Sequence, residues 1–309
     1  MCAFVGVFGI LLAALLVGGA GFDGAFFGWW GTLDEYLELV REARGLAEGS
    51  ATLVVPSVKY HLPQPGETKW LESEYEFTTR QLLRAWGGGT QAGAMPIEKD
   101  FSPTLAGSGR SRVRETVVEW LRRVPGLVRG AVAAGDVTVG LKIFNALFDD
   151  EFQLELLQSV QQATGADAAD WLVYGNRLFD PEREFDGLHG IAYGGPDLSD
   201  RNLRVLSEFN DRYGTAMRPL AGTGDISSGR MALEYALRGA SSFQLHTMFQ
   251  LPSRQYALRS GSRTQKALHE LYLHPHDGLV VWLSHLARRW SLPDAPLRFR
   301  DVVGRGRPD

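Results

Sequence analysis

The sequence predicts a single-domain α/β fold, a (βα)8 TIM barrel, on three observations. Short apolar runs rich in β-branched residues alternate with amphipathic helical stretches from end to end. No linker or low-complexity segment divides the 309 residues, a length that suits one barrel with insertions. The unusual polar residues gather just after the strand-like runs, where barrels of this kind place their sites.

The elements follow in order. Residues 3–9 read as a buried strand and 10–17 as the first helix. The same uncharged stretch, 1–22, is also about the 20 residues needed to cross a bilayer, so a membrane anchor is the competing reading. Its glycines at 18, 19 and 21 and the lack of a basic start favour the barrel reading over an anchor or an export signal. Residues 23–309 form the rest of the barrel with its C-terminal helices.

A second strand is expected at 24–30. In the helix after it, Thr32 and Glu35 have capping-box spacing, and Leu33, Tyr36, Leu37 and Val40 share one face. Further strands are expected at 52–58, 95–99, 137–144, 171–174, 218–222 and 242–246. A helix over 74–86 ends at the glycines of 87–89, and the next carries Val113, Val117, Leu121 and Val124 on one stripe. Asp149 and Asp150 open a helix whose inner face is Phe152, Leu156, Leu157 and Val160. Residues 176–197 read as a long functional loop. Ser227 is the expected cap of a helix closed by Gly239, and helices over 264–274 and 279–290 complete the chain.

Composition narrows the function. A net charge of -4 offers no basic footprint for nucleic acid. The one cysteine, Cys2, excludes an internal disulfide framework, a thiolate zinc cluster and a cysteine-ligated iron–sulfur centre. His269, His274 and His276 lie past the last strand without metal-ligand spacing and read as a helix end, so no metal is expected.

The strongest local signal is AGTGDISSGR, residues 221–230, followed by GASSFQLHTMF, residues 239–249. Gly222 and Gly224 permit close backbone approach to a ligand. Amides after the last two strands would then converge on one anion, as at the phosphate sites of many barrels.

These motifs, with GLKIFNAL at 140–147, YGNRLFDP at 174–181 and YGGPDLSD at 193–200, occur in the order and spacing of dihydroorotate dehydrogenases, which the chain resembles over residues 95–249. The GTGDI stretch is also similar to a motif of tRNA-dihydrouridine synthases, relatives on the same flavin barrel. The resemblance implies an FMN cofactor. Gly222, Gly224 and Asp225, with His246 and Thr247, would hold its phosphate, and Gly194 and Gly195 would lie along the ribityl chain or phosphate. Lys142 would sit beside the flavin pyrimidine ring and stabilise charge on reduced flavin. Asn176 matches a substrate-binding asparagine, and Asn145 is a second candidate.

In EKDFSPTLAG, residues 98–107, Ser102 matches the base that would take the C5 proton of dihydroorotate while hydride leaves C6. Lys99 is a further substrate-binding or relay candidate, with Thr104 beside it. Lys59 is a cation that nothing in the family pattern aligns. The family's asparagines flanking that base are replaced here near Lys99 and Thr104, which leaves the substrate open.

The expected activity is oxidation of dihydroorotate to orotate by a cytoplasmic enzyme, with a quinone as acceptor if the N-terminal segment is membrane-associated. Two alternatives remain: a related flavin reductase acting on a tRNA uridine, and a non-catalytic barrel that binds a phosphorylated ligand.

Overall fold

The computed structural model describes residues 33–50, 53–59, 72–88, 93–101, 114–146, 149–185, 187–194, 198–245, 247–291 and 297–306. The strands and helix expected before residue 31, the Thr32 cap, Val113, Ser102, Thr104, Gly195 and His246 lie outside these residues.

The elements are helix α1 (Leu33–Ala47), strand β1 (Ser57–Lys59), α2 (Glu72–Trp86), β2 (Met95–Phe101), α3 (Arg114–Gly130), β3 (Val137–Ala146), α4 (Asp150–Gln161) and β4 (Trp171–Phe185). They continue with β5 (Leu188–Tyr193), α5 (Leu198–Tyr213), β6 (Leu220–Thr223), α6 (Gly229–Leu237), β7 (Ser242–Gln244), α7 (Thr247–Gln250), α8 (Arg263–Tyr272) and α9 (Leu279–Arg289). The sheet order is β1-β2-β3-β4-β6-β7, all parallel, and β5 pairs antiparallel with β4.

The sheet curls. Gln244 on β7 donates a hydrogen bond to Glu98 on β2, although three strands lie between them. In a flat sheet β2 and β7 would stand roughly 19 Å apart, four strand spacings. The result is a TIM-barrel-like half-barrel wrapped by helices.

Strand periodicity sorts the side chains onto two faces. Ile97, Leu141, Ile143, Leu172, Leu220 and Phe243 are buried in the apolar layer under the helices. The helices answer with matching stripes. Val117, Leu121, Val124 and Val128 of α3 are buried, as are Phe152, Leu156, Leu157 and Val160 of α4, and Leu37 and Val40 of α1. Trp120 of α3 donates to the Tyr75 hydroxyl of α2 at 2.6 Å, which satisfies the buried indole.

Three local expectations are corrected. The segment expected as a loop at 176–197 is largely a β-hairpin: β4 runs on to Phe185 and pairs back with β5, Leu178 opposite Tyr193 and Phe179 opposite Ala192. The Asp186-Gly187 pair is a hairpin-turn signal, and Gly187 takes φ +72. Phe179 is buried edge-to-face on Phe144 at 5.9 Å, which anchors the extension. Of the strand expected at 52–58, the described residues form only Ser57–Lys59: Pro56 still accepts from the Glu98 amide at 2.9 Å, but without an N–H it cannot carry the ladder further back. The cap of α6 is Ser228, whose Oγ accepts from the Met231 amide at 3.1 Å, and Ser227 is exposed.

One surface cluster fastens α4 to α5. Asp150 accepts from Arg204 Nε at 2.6 Å and from Arg201 Nε at 2.9 Å. The Arg204 hydrogen bond, then Arg201, hold this carboxyl below the usual range, against the opposing effect of partial burial. A depressed carboxyl stabilises the fold above its unfolded value near ~4 and stops doing so as pH falls through its folded value. Asp150→Asn is therefore expected to lower stability at neutral pH, by no more than about 1 kcal/mol because solvent screens the site. The deficit should vanish on acidification. Urea midpoints across an acid titration check it; a deficit that persists in acid would refute the assignment.

Among the described residues no helix is long and apolar enough to cross a membrane. In the histidine segment, His274 Nδ1 accepts from the His276 and Asp277 amides, so this ring caps a turn.

Candidate active site

The second strand's sequence Ile97-Glu98-Lys99-Asp100 alternates apolar and acidic residues with a lysine of apolar parity. Period two sends Glu98 and Asp100 into the barrel and Lys99 outward. Glu98 is 2% exposed and bridges three strands: it accepts from Ser57 Oγ of β1 at 2.7 Å and from Gln244 Nε2 of β7, and it faces Lys142 Nζ of β3 at 3.5 Å. Lys142, on an otherwise apolar strand, thus enters the barrel interior.

Gly140 lies one inward step below Lys142 on β3. A Cβ there would overlap the indole of Trp171, so the glycine makes room for a tryptophan inside the barrel. Lys142 and its register partner Asp100 lie one inward step beyond this glycine, toward the C-terminal strand ends.

At those ends Asn176 Nδ2 approaches Asp100 Oδ1 at 3.4 Å. The next residue, Arg177, has its guanidinium pushed down to about 10 by burial, with the Asp100 charge opposing the shift. Asp100, Glu98, Lys142 and Asn176 therefore form one polar interior. Lys142 and Asn176 are legible as site residues in the sequence, whereas Glu98, Asp100, Gln244 and Arg177 emerge from the structure. The signal was the acidic pair at spacing two within a strand.

The glycine motif is held from behind. Gly224 has φ +97 and Asp225 φ +51, successive left-handed residues that turn the chain sharply out of β6. The Tyr235 hydroxyl of α6 donates to the Gly224 carbonyl at 2.8 Å. Asn202 of α5 donates to the Thr223 carbonyl at 3.1 Å, the Gly175 carbonyl at 3.3 Å and the Tyr235 hydroxyl at 2.9 Å. Asp225 accepts from Ser199 Oγ at 3.2 Å. Gly222 carries no Cβ because Tyr235 packs against it. Thr223 pairs with Gln244, so the chain leaves β6 and β7 side by side, and Thr247 starts α7 just beyond.

The remaining expected site residues are placed as follows. Gly194 is exposed, and a Cβ there would meet open space. Asn145 is not with the interior group: its Nδ2 donates to Asn202 Oδ1 at 2.6 Å in the buried layer toward α5, past the register shift between Ile143 and Asn145. Lys99 is not with it either. It is fully buried on the outer face, with Nζ 5.5 Å from the Tyr75 ring centroid, and burial pushes its ammonium well below the ordinary lysine range.

Fold and site together define a TIM-barrel-like α/β protein with a buried, charge-paired interior and a glycine turn at one strand end. Among solved structures, the chain is similar to a crystal structure of DHODH in complex with ferulenol from Eimeria tenella. The TM-score is 0.55 at 12% identity, over 88% of this chain and 67% of that one. At this identity the likeness establishes a DHODH-like fold. No protein-family model and no curated protein sequence matches the chain.

Proposed function

We propose that the chain is an FMN-dependent oxidoreductase of the dihydroorotate dehydrogenase type, acting on a CH–CH bond of a dihydroorotate-like substrate. The observation that carries this reading is the ammonium of Lys142 inside the barrel, on the strand where the family resemblance expects a lysine beside the flavin. The DHODH-like fold supports it.

The described residues fit such a group. Lys142 supplies a cation in a paired interior, Gly194 leaves open space, and the turn at Gly224 and Asp225 leaves the sheet beside the end of β7. Backbone amides at Gly224, Asp225 and Thr247 would hold the phosphate, and the family resemblance adds Gly222, His246 and Gly195 to that role. Bound FMN supplies the acceptor for the hydride that leaves substrate C6. Ser102 is the proposed acceptor of the C5 proton, which Thr104 and water pass to solvent. Asn176 would orient the substrate's imide, held toward the interior by Asp100. A quinone is the proposed final electron acceptor.

The purified protein, reconstituted with FMN, should show the absorption of oxidised flavin and lose it on mixing with dihydroorotate. Ser102→Ala should slow that bleaching about 10²-fold or more without releasing the flavin. A yellow protein that dihydroorotate does not bleach would sink the substrate assignment. One that stays colourless would sink the cofactor.

A further inference from the structure

The charge of Lys142 is not left to itself, and this bears on the chemistry proposed above. Glu98 stands 3.5 Å from its Nζ, and both side chains are almost wholly enclosed. Strands on either side hold the carboxylate in place: Ser57 donates to one oxygen at 2.7 Å and Gln244 to the other. Removing a carboxylate from water costs several kcal/mol unless such partners surround it. Here the partners come from β1, β3 and β7, so closure of the half-barrel itself sets where the negative charge sits.

We propose that Glu98 is a positioning residue that fixes the Lys142 ammonium and cancels most of its charge, so that a flavin bound beside Lys142 meets a dipole rather than a full cation. This rests on the FMN reading above. An unpaired lysine in a low-dielectric site favours the negative charge that reduced flavin carries near N1. A carboxylate at 3.5 Å from that lysine opposes most of this preference. The wild-type site is therefore tuned toward weak stabilisation of reduced FMN, and the tuning residue opens the EKDFSPTLAG motif, where the family resemblance gives it no role.

The test compares the affinity of reduced with that of oxidised FMN, read as the midpoint potential of the bound flavin, in wild type, Glu98→Gln and Glu98→Asp. Glutamine keeps the shape and loses the charge; aspartate does the reverse. Glu98→Gln is expected to raise the reduced-over-oxidised affinity ratio by about tenfold or more, and Glu98→Asp to stay near wild type. The opposite pattern, glutamine like wild type and aspartate shifted, would mean a packing role and overturn the proposal.

A second measurement needs no variant. The pH titration of the reduced-flavin spectrum should give an N1 ionisation in the wild-type protein no lower than in free reduced FMN, and a clearly lower value overturns the proposal. A third uses the protein without FMN. A double-mutant cycle of Glu98→Gln and Lys142→Met in chemical denaturation should show favourable coupling, and coupling within error of zero overturns the pairing. A wild-type protein that stays colourless with FMN overturns both this inference and its parent reading. A yellow protein with an unchanged potential in Glu98→Gln overturns this inference alone.

Discussion

Gly224→Ala is expected to cost about 2–6 kcal/mol of stability and, on the flavin reading proposed above, to remove detectable FMN binding. Two effects add. At φ +97 an alanine is strained, which is worth about 1–3 kcal/mol. Its Cβ would also overlap the Gly175 carbonyl oxygen, stand 2.8 Å from Asn202 Nδ2 and 3.3 Å from the Leu198 Cβ. Overpacking of this kind costs about 1–3 kcal/mol more. The loop cannot retreat from the clash. Gly175 is itself at φ +93, and Asn202 Nδ2 binds the carbonyls of Gly175 and Thr223 together. Relaxation would therefore break the hydrogen bonds that aim the turn, and any phosphate cradle built on it. Gly194→Ala is the control for stability alone: its Cβ would meet open space, and a change within about 0.5 kcal/mol of folding stability is expected. Denaturant titration and flavin-fluorescence binding measure both. An alanine at 224 with wild-type stability would show that the turn is not locked as described.

The parts of this fold that could be read from sequence are those fixed by local chemistry. The apolar stripe of α4 and its Asp149 cap are properties of a few neighbouring residues, and the cap hydrogen bond to the Phe152 amide is present. The parallel strand expected at 137–144 and found at 137–146 is legible because double-sided burial leaves a nearly continuous apolar run. What escaped depends on distant partners. The hairpin of β4 and β5 holds because Phe179 finds Phe144, a contact no window around Phe179 contains. The site divides in the same way. Lys142 stood out as a charge in an apolar strand. Its partner Glu98 did not, because the meaning of that carboxylate comes from Gln244, 146 residues away. Asn145 looked like a ligand-binding amide, but the register shift beside it turns the amide onto Asn202. The proposed base at Ser102 lies outside the described residues, so its assignment still stands on resemblance.

Lys99→Met is expected to stabilise the protein at neutral pH, by about 1–4 kcal/mol, and to leave the proposed FMN binding unchanged. The lysine is fully buried on the outer face of β2, and burial alone drives its ammonium well below the ordinary lysine range. The folded state thus disfavours the proton that the unfolded chain keeps up to about 10.4. Between the folded value and that limit the unfolded state binds more protons, so wild-type stability must climb as pH rises through this window and level off above it. Contact with the Tyr75 ring at 5.5 Å works the other way, by about 0.5–2 kcal/mol for a cation, and vanishes once the lysine is neutral. Methionine fills similar volume without the charge, so the variant should gain at neutral pH and lose the alkaline climb, the two curves converging near the ordinary lysine value. Flavin affinity separates this from a role at the site. Lys99 and Glu98 are neighbours in sequence but point through opposite faces of the strand, so removing the outer charge should leave the Glu98–Lys142 pair, and the potential of the flavin proposed to bind beside it, where they were. A Lys99→Met protein that is less stable at neutral pH, or that loses FMN, would place this side chain on the inside of the barrel and reverse the parity of β2 on which the interior site is built.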